Sequence, residues 1–389
     1  VIGEMAAGLL LGPVVLGAAL PDVHAALFAP QSLAALNSLS TLGLVLFMFV
    51  VGVELRAPDG IRAQLRSAGA VGVLSVLLPM ALGMAVSPLL HARLAPAGVP
   101  FWPFALFMAA AMAITAFPVM ARILKDRGMT RTPIGQLSLS SAAIADVMAW
   151  VLLALVMTLL AAKGGWGGFA RALLGLAAMV AVVMGVLRPL FARLLARHAH
   201  DMQPSGSVLA ALLIAMLACA AAAEWLQLHA VFGAFVFGAC LPRDDRLLHT
   251  LIERIEHLAV IVLMPVFFVL AGLSTTPDAF GTGSLAALSL ILLVATVGKL
   301  AGGAIGARWS GQPWRASLAV GALMNARGMM ELIVIKIGLD AGLIGPELFT
   351  MLLVMALVTT VMASPLLTLF GGDGLRRAPL AGVATSPGP

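Results

Sequence analysis

Ala113 to Arg122 read AITAFPVMAR, and Ala322 to Leu332 read ALMNARGMMEL. Each stretch lies within a strongly apolar segment and carries residues that interrupt a helix, Thr115 and Pro118 in the first, Asn325 and Gly328 in the second. Proline removes a backbone donor and clashes with the preceding turn, while glycine loosens the chain. In lipid, unwound backbone is tolerated only where protein buries it or where it lines a cavity. A pair of interrupted membrane helices at corresponding places in two halves of a chain is a mark of secondary transporters.

The composition around these stretches agrees. Of 389 residues, 61% are hydrophobic and 10% charged, against about 25% charged in a soluble domain. Apolar runs long enough to cross a bilayer as helix, about 20 residues each, predict an all-α polytopic membrane protein. Twelve spans can be marked, at 1–20, 36–55, 69–90, 103–124, 134–162, 172–196, 206–224, 229–241, 258–273, 285–307, 316–338 and 344–370. The net charge of +6 would suit a nucleic-acid binder if the basic residues clustered on one face, but they are scattered through short loops, so no nucleic acid is expected.

Those loops orient the bundle, because cytoplasmic segments are enriched in Lys and Arg. Gaps after even-numbered spans, with the C-terminal tail and the adjoining span ends that carry Arg122, Arg188 and Arg193, hold 17 basic residues, and gaps after odd-numbered spans hold 3, Arg93, Lys163 and Arg171. Both chain ends are therefore expected in the cytoplasm of a cell with the protein in its inner, or plasma, membrane. Spans three to five then run outward, inward, outward, and spans ten to twelve run the opposite way. The two interrupted helices are the middle members of these triplets. An inverted repeat is the expectation, although any alternating bundle allows such a pairing.

A charge at the centre of a membrane helix costs about 2.5 to 3.5 kcal/mol on insertion scales, which singles out the few present. Thr132 and Pro133 suit the N-cap and first position of span five, and a rise of about 1.5 Å per residue puts Asp146 about 20 Å further in. Lys299 lies about 14 Å from the cytoplasmic end of span ten by the same rise, within side-chain reach. A carboxylate can hold either a proton or a hard monovalent cation, and competition between them suffices for exchange. Asp146 is thus the expected cation- and proton-binding residue, with the Thr115 hydroxyl and the carbonyls around Ala116 beside it and Lys299 as its ion-pair partner. Asn325 is expected to bond the opposing segment's loose backbone groups, and Arg327 and Glu331, four residues apart, to pair along one helix face.

Plainer alternatives stand beside these. Lys299 can snorkel toward water, Asp146 can be a structural residue held by Ser141 or Thr115, and the Arg327–Glu331 pair can merely brace span eleven. Gly298, Gly302 and Gly306 read as a close-packing ridge, and Glu4 and Lys336 as solvated. Asp244 and Asp245 read as a solvated turn. Cys219 and Cys240 are expected at different depths, with neither disulfide nor metal between them, and the seven histidines form no HExxH motif. No cofactor, resident metal or enzymatic activity is expected. A gated monovalent cation channel, or a K+ efflux system without obligatory proton coupling, would use similar membrane charges and remains the alternative.

The strings VIGEMAAGLLLGP (1–13), FMFVVGVEL (47–55), ITAFPVMARIL (114–124), SAAIADVMAW (141–150), FGAFVFGACLP (232–242), LMPVFFVLAGL (263–273), VGKLAGG (297–303) and LMNARGMMELIVI (323–335) resemble, in order, the monovalent cation:proton antiporter 2 family. Bacterial Kef-type and plant and fungal CHX-type exchangers belong to it. The resemblance implies a 13-helix inverted-repeat antiporter exchanging Na+ or K+ for H+, and by that comparison the first helix is absent here. It implies a homodimer in membrane lipid. Residues 1–370 would form the exchanger domain, with a core at 69–162 and 285–370, a dimer scaffold at 1–55 and 206–273 and a connector at 172–196. By resemblance Asp146 takes the signature position and Lys299 that of the tenth-helix lysine. Two departures matter. Ala145 stands where relatives often carry Asn, Asp or Gln, which predicts one-for-one, electroneutral exchange, and only a short cytoplasmic tail, 371–389, stands where Kef-type members carry a regulatory domain.

Overall fold

A computed structural model describes residues 2–54, 61–130, 132–161, 166–198, 206–226, 230–241 and 246–370. The expected cytoplasmic tail and the Asp244–Asp245 turn lie outside the described residues.

The described residues are helical throughout, joined by short turns. In chain order the helices are α1 (Ile2–Leu11), α2 (Pro21–Leu27), α3 (Pro30–Glu54), α4 (Ile61–Leu94), α5 (Phe101–Ala113) and α6 (Phe117–Asp126). They continue as α7 (Pro133–Ala161), α8 (Trp166–Val182), α9 (Arg188–His198), α10 (Gly206–Trp225), α11 (Ala230–Cys240) and α12 (Arg246–His257). The last are α13 (Met264–Leu273), α14 (Leu285–Trp309), α15 (Trp314–Met324), α16 (Met329–Asp340) and α17 (Pro346–Leu369). In its described residues each of the twelve expected spans falls mainly on helix. Among the described residues seven stretches, from Gln31–Val53 to Pro346–Leu369, are long and apolar enough to cross a bilayer, and shorter apolar helices accompany them. The chain is a multi-pass membrane protein.

Helix ends follow local chemistry. Thr132 caps α7 as expected, its hydroxyl accepting a 3.1 Å bond from the Gly135 N–H. The second halves of the two interrupted helices, α6 and α16, both stop at a glycine with left-handed backbone, Gly128 at φ 64° and Gly342 at φ 69°, the usual helix terminator. Three features exceed the expectations. Span three begins at Ile61 rather than 69, and α12 is an amphipathic helix in a segment read as loop. Single π-helical turns also occur at Pro13–Gly17, Val183–Leu187 and Leu258–Leu263.

The chain divides into two compact units. One runs Ala57–Leu153 and resumes at Pro277, and the other holds Gly3–Arg56 and Ala154–Thr276. Within the second, α3 crosses α11 at glycines. A Cβ on Gly52 would strike the Phe235 carbonyl and one on Gly238 the Phe49 carbonyl. The rings of Phe49 and Phe237 stack beside this crossing, with centroids 5.7 Å apart. Within the first unit, α14 lies on α4 along the glycine ridge. A Cβ would come within 2.9 Å of Pro79 at Gly298 and within 2.6 Å of Val71 at Gly306, and at Gly302 it would meet the Leu74 carbonyl. Lipid supplies no hydrophobic drive between helices, so this backbone-to-backbone approach is what holds them. It also fixes the rotation of α14, and with it the direction of Lys299.

Candidate functional site

Both interruptions lie in the first unit. The span-four break leaves Ile114, Thr115 and Ala116 extended between α5 and α6, and the span-eleven break leaves 325–328 between α15 and α16. Ile114, Thr115, Ala116, Asn325, Ala326 and Arg327 are all buried, as unwound backbone at membrane depth must be. One backbone bond joins the breaks, Ala116 N–H donating to the Ala326 carbonyl at 3.1 Å. The return bond is not made. Ala326 N–H turns to Leu323 in its own segment, and the Ala116 carbonyl accepts from Met120 as the first acceptor of α6.

A half-helix that ends inside the membrane leaves its last carbonyls without intrahelical donors and carries partial negative charge. At the end of α5 two cations meet this need. The Lys299 ammonium, fully buried, donates to the Ala113 carbonyl and, at 2.6 Å, to the Thr115 hydroxyl. Arg327, equally buried, donates to the Ala111 carbonyl at 3.0 Å and to the Met112 carbonyl at 2.8 Å. Three consecutive carbonyls thus receive bonds from charged groups on α14 and in the span-eleven break. Arg327 also holds Glu331 Oε1 at 2.8 Å, the expected i,i+4 pair, with both side chains fully buried.

Asp146 sits fourteenth of the 29 residues of α7 and is 2% exposed. Its Oδ1 has no hydrogen-bond partner, and the backbone N–H of Phe117, first residue of α6, interacts with the carboxylate. The expected ion pair with Lys299 is not formed among the described residues. The α5 carbonyls compete for the same ammonium, and unpaired helix-end carbonyls in lipid are strong acceptors. Snorkelling is equally unsupported, since Lys299 is fully enclosed. Ser141 does not hold Asp146 either, because its hydroxyl donates to the Leu137 carbonyl at 2.7 Å.

Asn325 behaves differently from expectation. Its amide reaches the Thr359 carbonyl on α17 at 3.4 Å, and Oδ1 stays unpartnered, while backbone rather than side chain bridges the breaks. Two residues escaped notice in the sequence. Thr360 on α17 accepts the Arg327 backbone N–H at 3.0 Å, and its proton has the Arg327 and Ala356 carbonyls in reach. Thr359 is buried beside it. Two adjacent hydroxyls in the middle of a mostly apolar span were the available signal. Lys336, read as solvated, forms a surface ion pair with Asp340. Among the described residues no group of three or more His, Cys, Asp or Glu could hold a metal.

Residues 1–370 match the family model described as "Sodium/hydrogen exchanger, transmembrane". The chain belongs to the sodium/hydrogen exchanger family. This exchanger chain is 37% identical over 368 residues to Na(+)/H(+) antiporter NhaS4 of Synechocystis, covering 94% of this chain and 89% of that protein. It is 32% identical to K(+)/H(+) antiporter 1 of Saccharomyces cerevisiae, covering 97% of this chain and 44% of that one. It therefore spans less than half the length of the yeast relative, and the same holds for cation/H(+) antiporter 17 of Arabidopsis thaliana, 34% identical with 44% of its length covered. Its fold is that of the solved sodium proton antiporter MjNhaP1 from Methanocaldococcus jannaschii, with a TM-score of 0.64 at 15% identity over 97% of this chain and 91% of that one.

Proposed function

We propose that this chain is a secondary antiporter that exchanges a monovalent cation, Na+ or K+, for H+ by alternating access, with Asp146 holding cation and proton in competition. The observation that carries this is a carboxylate at the middle of a membrane helix, buried, with one oxygen unpartnered, beside two interrupted helices. An intramembrane ionisable group of that kind is costly to bury, and its retention supports a functional role. Membership of the exchanger family supports the reading, as do relatives named as Na+/H+ and K+/H+ antiporters. Those names disagree on the ion, so the choice between Na+ and K+ belongs to experiment. Nothing in the relatives favours the channel alternative.

The remaining roles form part of the same proposal. Thr115 and the Ala116 carbonyl, in the span-four break, serve as cation ligands once Lys299 releases the Thr115 hydroxyl. Lys299 holds the end of α5 in the arrangement described and is free to approach Asp146 in another. Asn325, Arg327 and Glu331 support the crossover. The core at 69–162 and 285–370 carries the ion, 1–55 and 206–273 serve as scaffold in a homodimer, and 172–196 connects the halves. The protein works in the plasma membrane with both ends of this chain in the cytoplasm, and one carboxylate at this step gives one-for-one, electroneutral exchange.

The test uses proteoliposomes with an internal pH dye. Adding Na+ or K+ outside should move protons, and Asp146→Asn should abolish that movement. Full exchange by Asp146→Asn would sink the assignment, and cation flux without proton movement would favour a channel. Imposing a membrane potential at fixed ion gradients should leave the reversal point of exchange unchanged, and a displaced reversal point would refute one-for-one coupling.

A further inference from the structure

A small cavity of about 10 Å³ adjoins Asp146, lined by Ile114, Asp146, Ala149, Met330 and Val334. One water molecule requires roughly that much room. Its walls come from the span-four break, from the start of α16 and from α7. Ile114 belongs to the span-four break, Met330 is the second residue of α16 just past the other break, Val334 lies one turn further on the same face, and Ala149 follows Asp146 on α7. Asp146, with its unpartnered Oδ1, is the one lining residue with a polar side chain, and the others are aliphatic or thioether.

Such a chamber treats the two competing ions unequally. A proton needs a carboxylate oxygen and nothing more. A dehydrated Na+ or K+ needs several oxygens to replace its hydration shell, and among the lining side chains only Asp146 offers any. The nearby Thr115 hydroxyl is held by Lys299. A hydrated cation is larger than the chamber. Before a cation can be bound with water or with further backbone oxygens, side chains of the wall have to withdraw. Met330 is suited to this, being 3% exposed, unbranched and adjacent to the break. Its thioether chain adapts readily to irregular spaces.

We infer that Met330 and Val334 form an apolar seal over Asp146, which fits the site for a proton and sets the size of the cation that can displace it. This rests on the exchange role of Asp146 and adds to it the residues that determine ion preference. Shortening either side chain leaves room for water or for a larger ion beside the carboxylate. Because ion preference depends on cavity size and on the oxygens within reach, the change reads directly on the ratio of affinities for larger and smaller cations.

The experiment uses the full chain in proteoliposomes with the internal pH dye, comparing apparent affinities for Li+, Na+, K+ and Rb+. In Met330→Ala the ratio of Rb+ to Na+ affinity should rise over that of the unaltered protein, and Val334→Ala should move it in the same direction. Met330→Leu, which keeps the bulk, should leave the ratio nearly unchanged. If Met330→Ala fails to reach the membrane in folded form, Val334→Ala carries the test alone. An unchanged ratio in an alanine variant that still exchanges would overturn the seal. So would a folded alanine variant that exchanges no cation, since the seal predicts freer entry. Failure of the underlying reading looks different, because Asp146→Asn would then exchange normally. An unchanged ratio in a protein whose exchange still depends on Asp146 removes only the seal.

Discussion

The Arg327–Glu331 pair allows a thermodynamic test of how the crossover is held. Arg327 has two separable tasks, neutralising Glu331 at 2.8 Å and bonding the Ala111 and Met112 carbonyls at the end of α5. Both side chains are fully buried, so removing one partner leaves an uncompensated charge, a loss of roughly 3–5 kcal/mol. Each carbonyl stranded by loss of the guanidinium adds about 1–3 kcal/mol. Arg327→Met should therefore be more damaging than Glu331→Leu, in which the guanidinium keeps its carbonyls. The double variant Arg327→Met/Glu331→Leu buries no lone charge and retains only the carbonyl loss. It should be more stable than Arg327→Met alone despite lacking more polar groups. Unfolding midpoints of the purified protein in detergent, followed by loss of the monodisperse peak on heating, measure all three against the parent. Additivity, with the double variant losing as much as both single variants together, would refute the claim that charge compensation between these residues dominates.

Two further outcomes follow from the packing. Gly302→Val should lower the unfolding midpoint by an amount corresponding to about 1–3 kcal/mol, the usual cost of overpacking, because its side chain meets the Leu74 carbonyl and Ser75 on α4. An unaltered midpoint would show that α14 and α4 separate freely. Thr360→Val should strand the Arg327 backbone N–H and cost about 1–3 kcal/mol, whereas Thr360→Ser should recover most of it. Equal melting of the two variants would dismiss that hydroxyl as an anchor.

The breaks were legible because Pro118 and Gly328 act through local backbone chemistry that needs no tertiary context. Asp146 was legible because a helix cap at Thr132 and a fixed rise per residue place it in depth. The partner of Lys299 was not. Reach from α14 is compatible with either Asp146 or the α5 carbonyls, and only the rotation imposed by the glycine ridge and the position of the α5 terminus decide between them. Helix α12 escaped because Arg246, Glu253, Arg254 and Glu256 depress any hydropathy window, although its apolar residues recur at helical spacing and Ile252 and Ile255 are buried. The π turns each lie at a proline, Pro13, Pro189 or Pro265, which disturbs the preceding turn, but a proline alone does not tell a π turn from a kink or a helix start.

The lone backbone bond between the two interruptions makes their crossing directional. Under a true twofold relation each break would donate to and accept from the other, and a pull on either would be felt alike. Here Ala326 supplies the acceptor while its own N–H is kept at home by Leu323, so the span-four segment hangs from the span-eleven segment. The span-eleven segment is in turn fastened to α17 through Thr360. Along the backbone the link therefore runs from α17 to Arg327, to Ala326 and on to Ala116, whereas the span-four segment has its own tie to α14 through Lys299 and Thr115, so the two halves of a nominally symmetric repeat are anchored by different means.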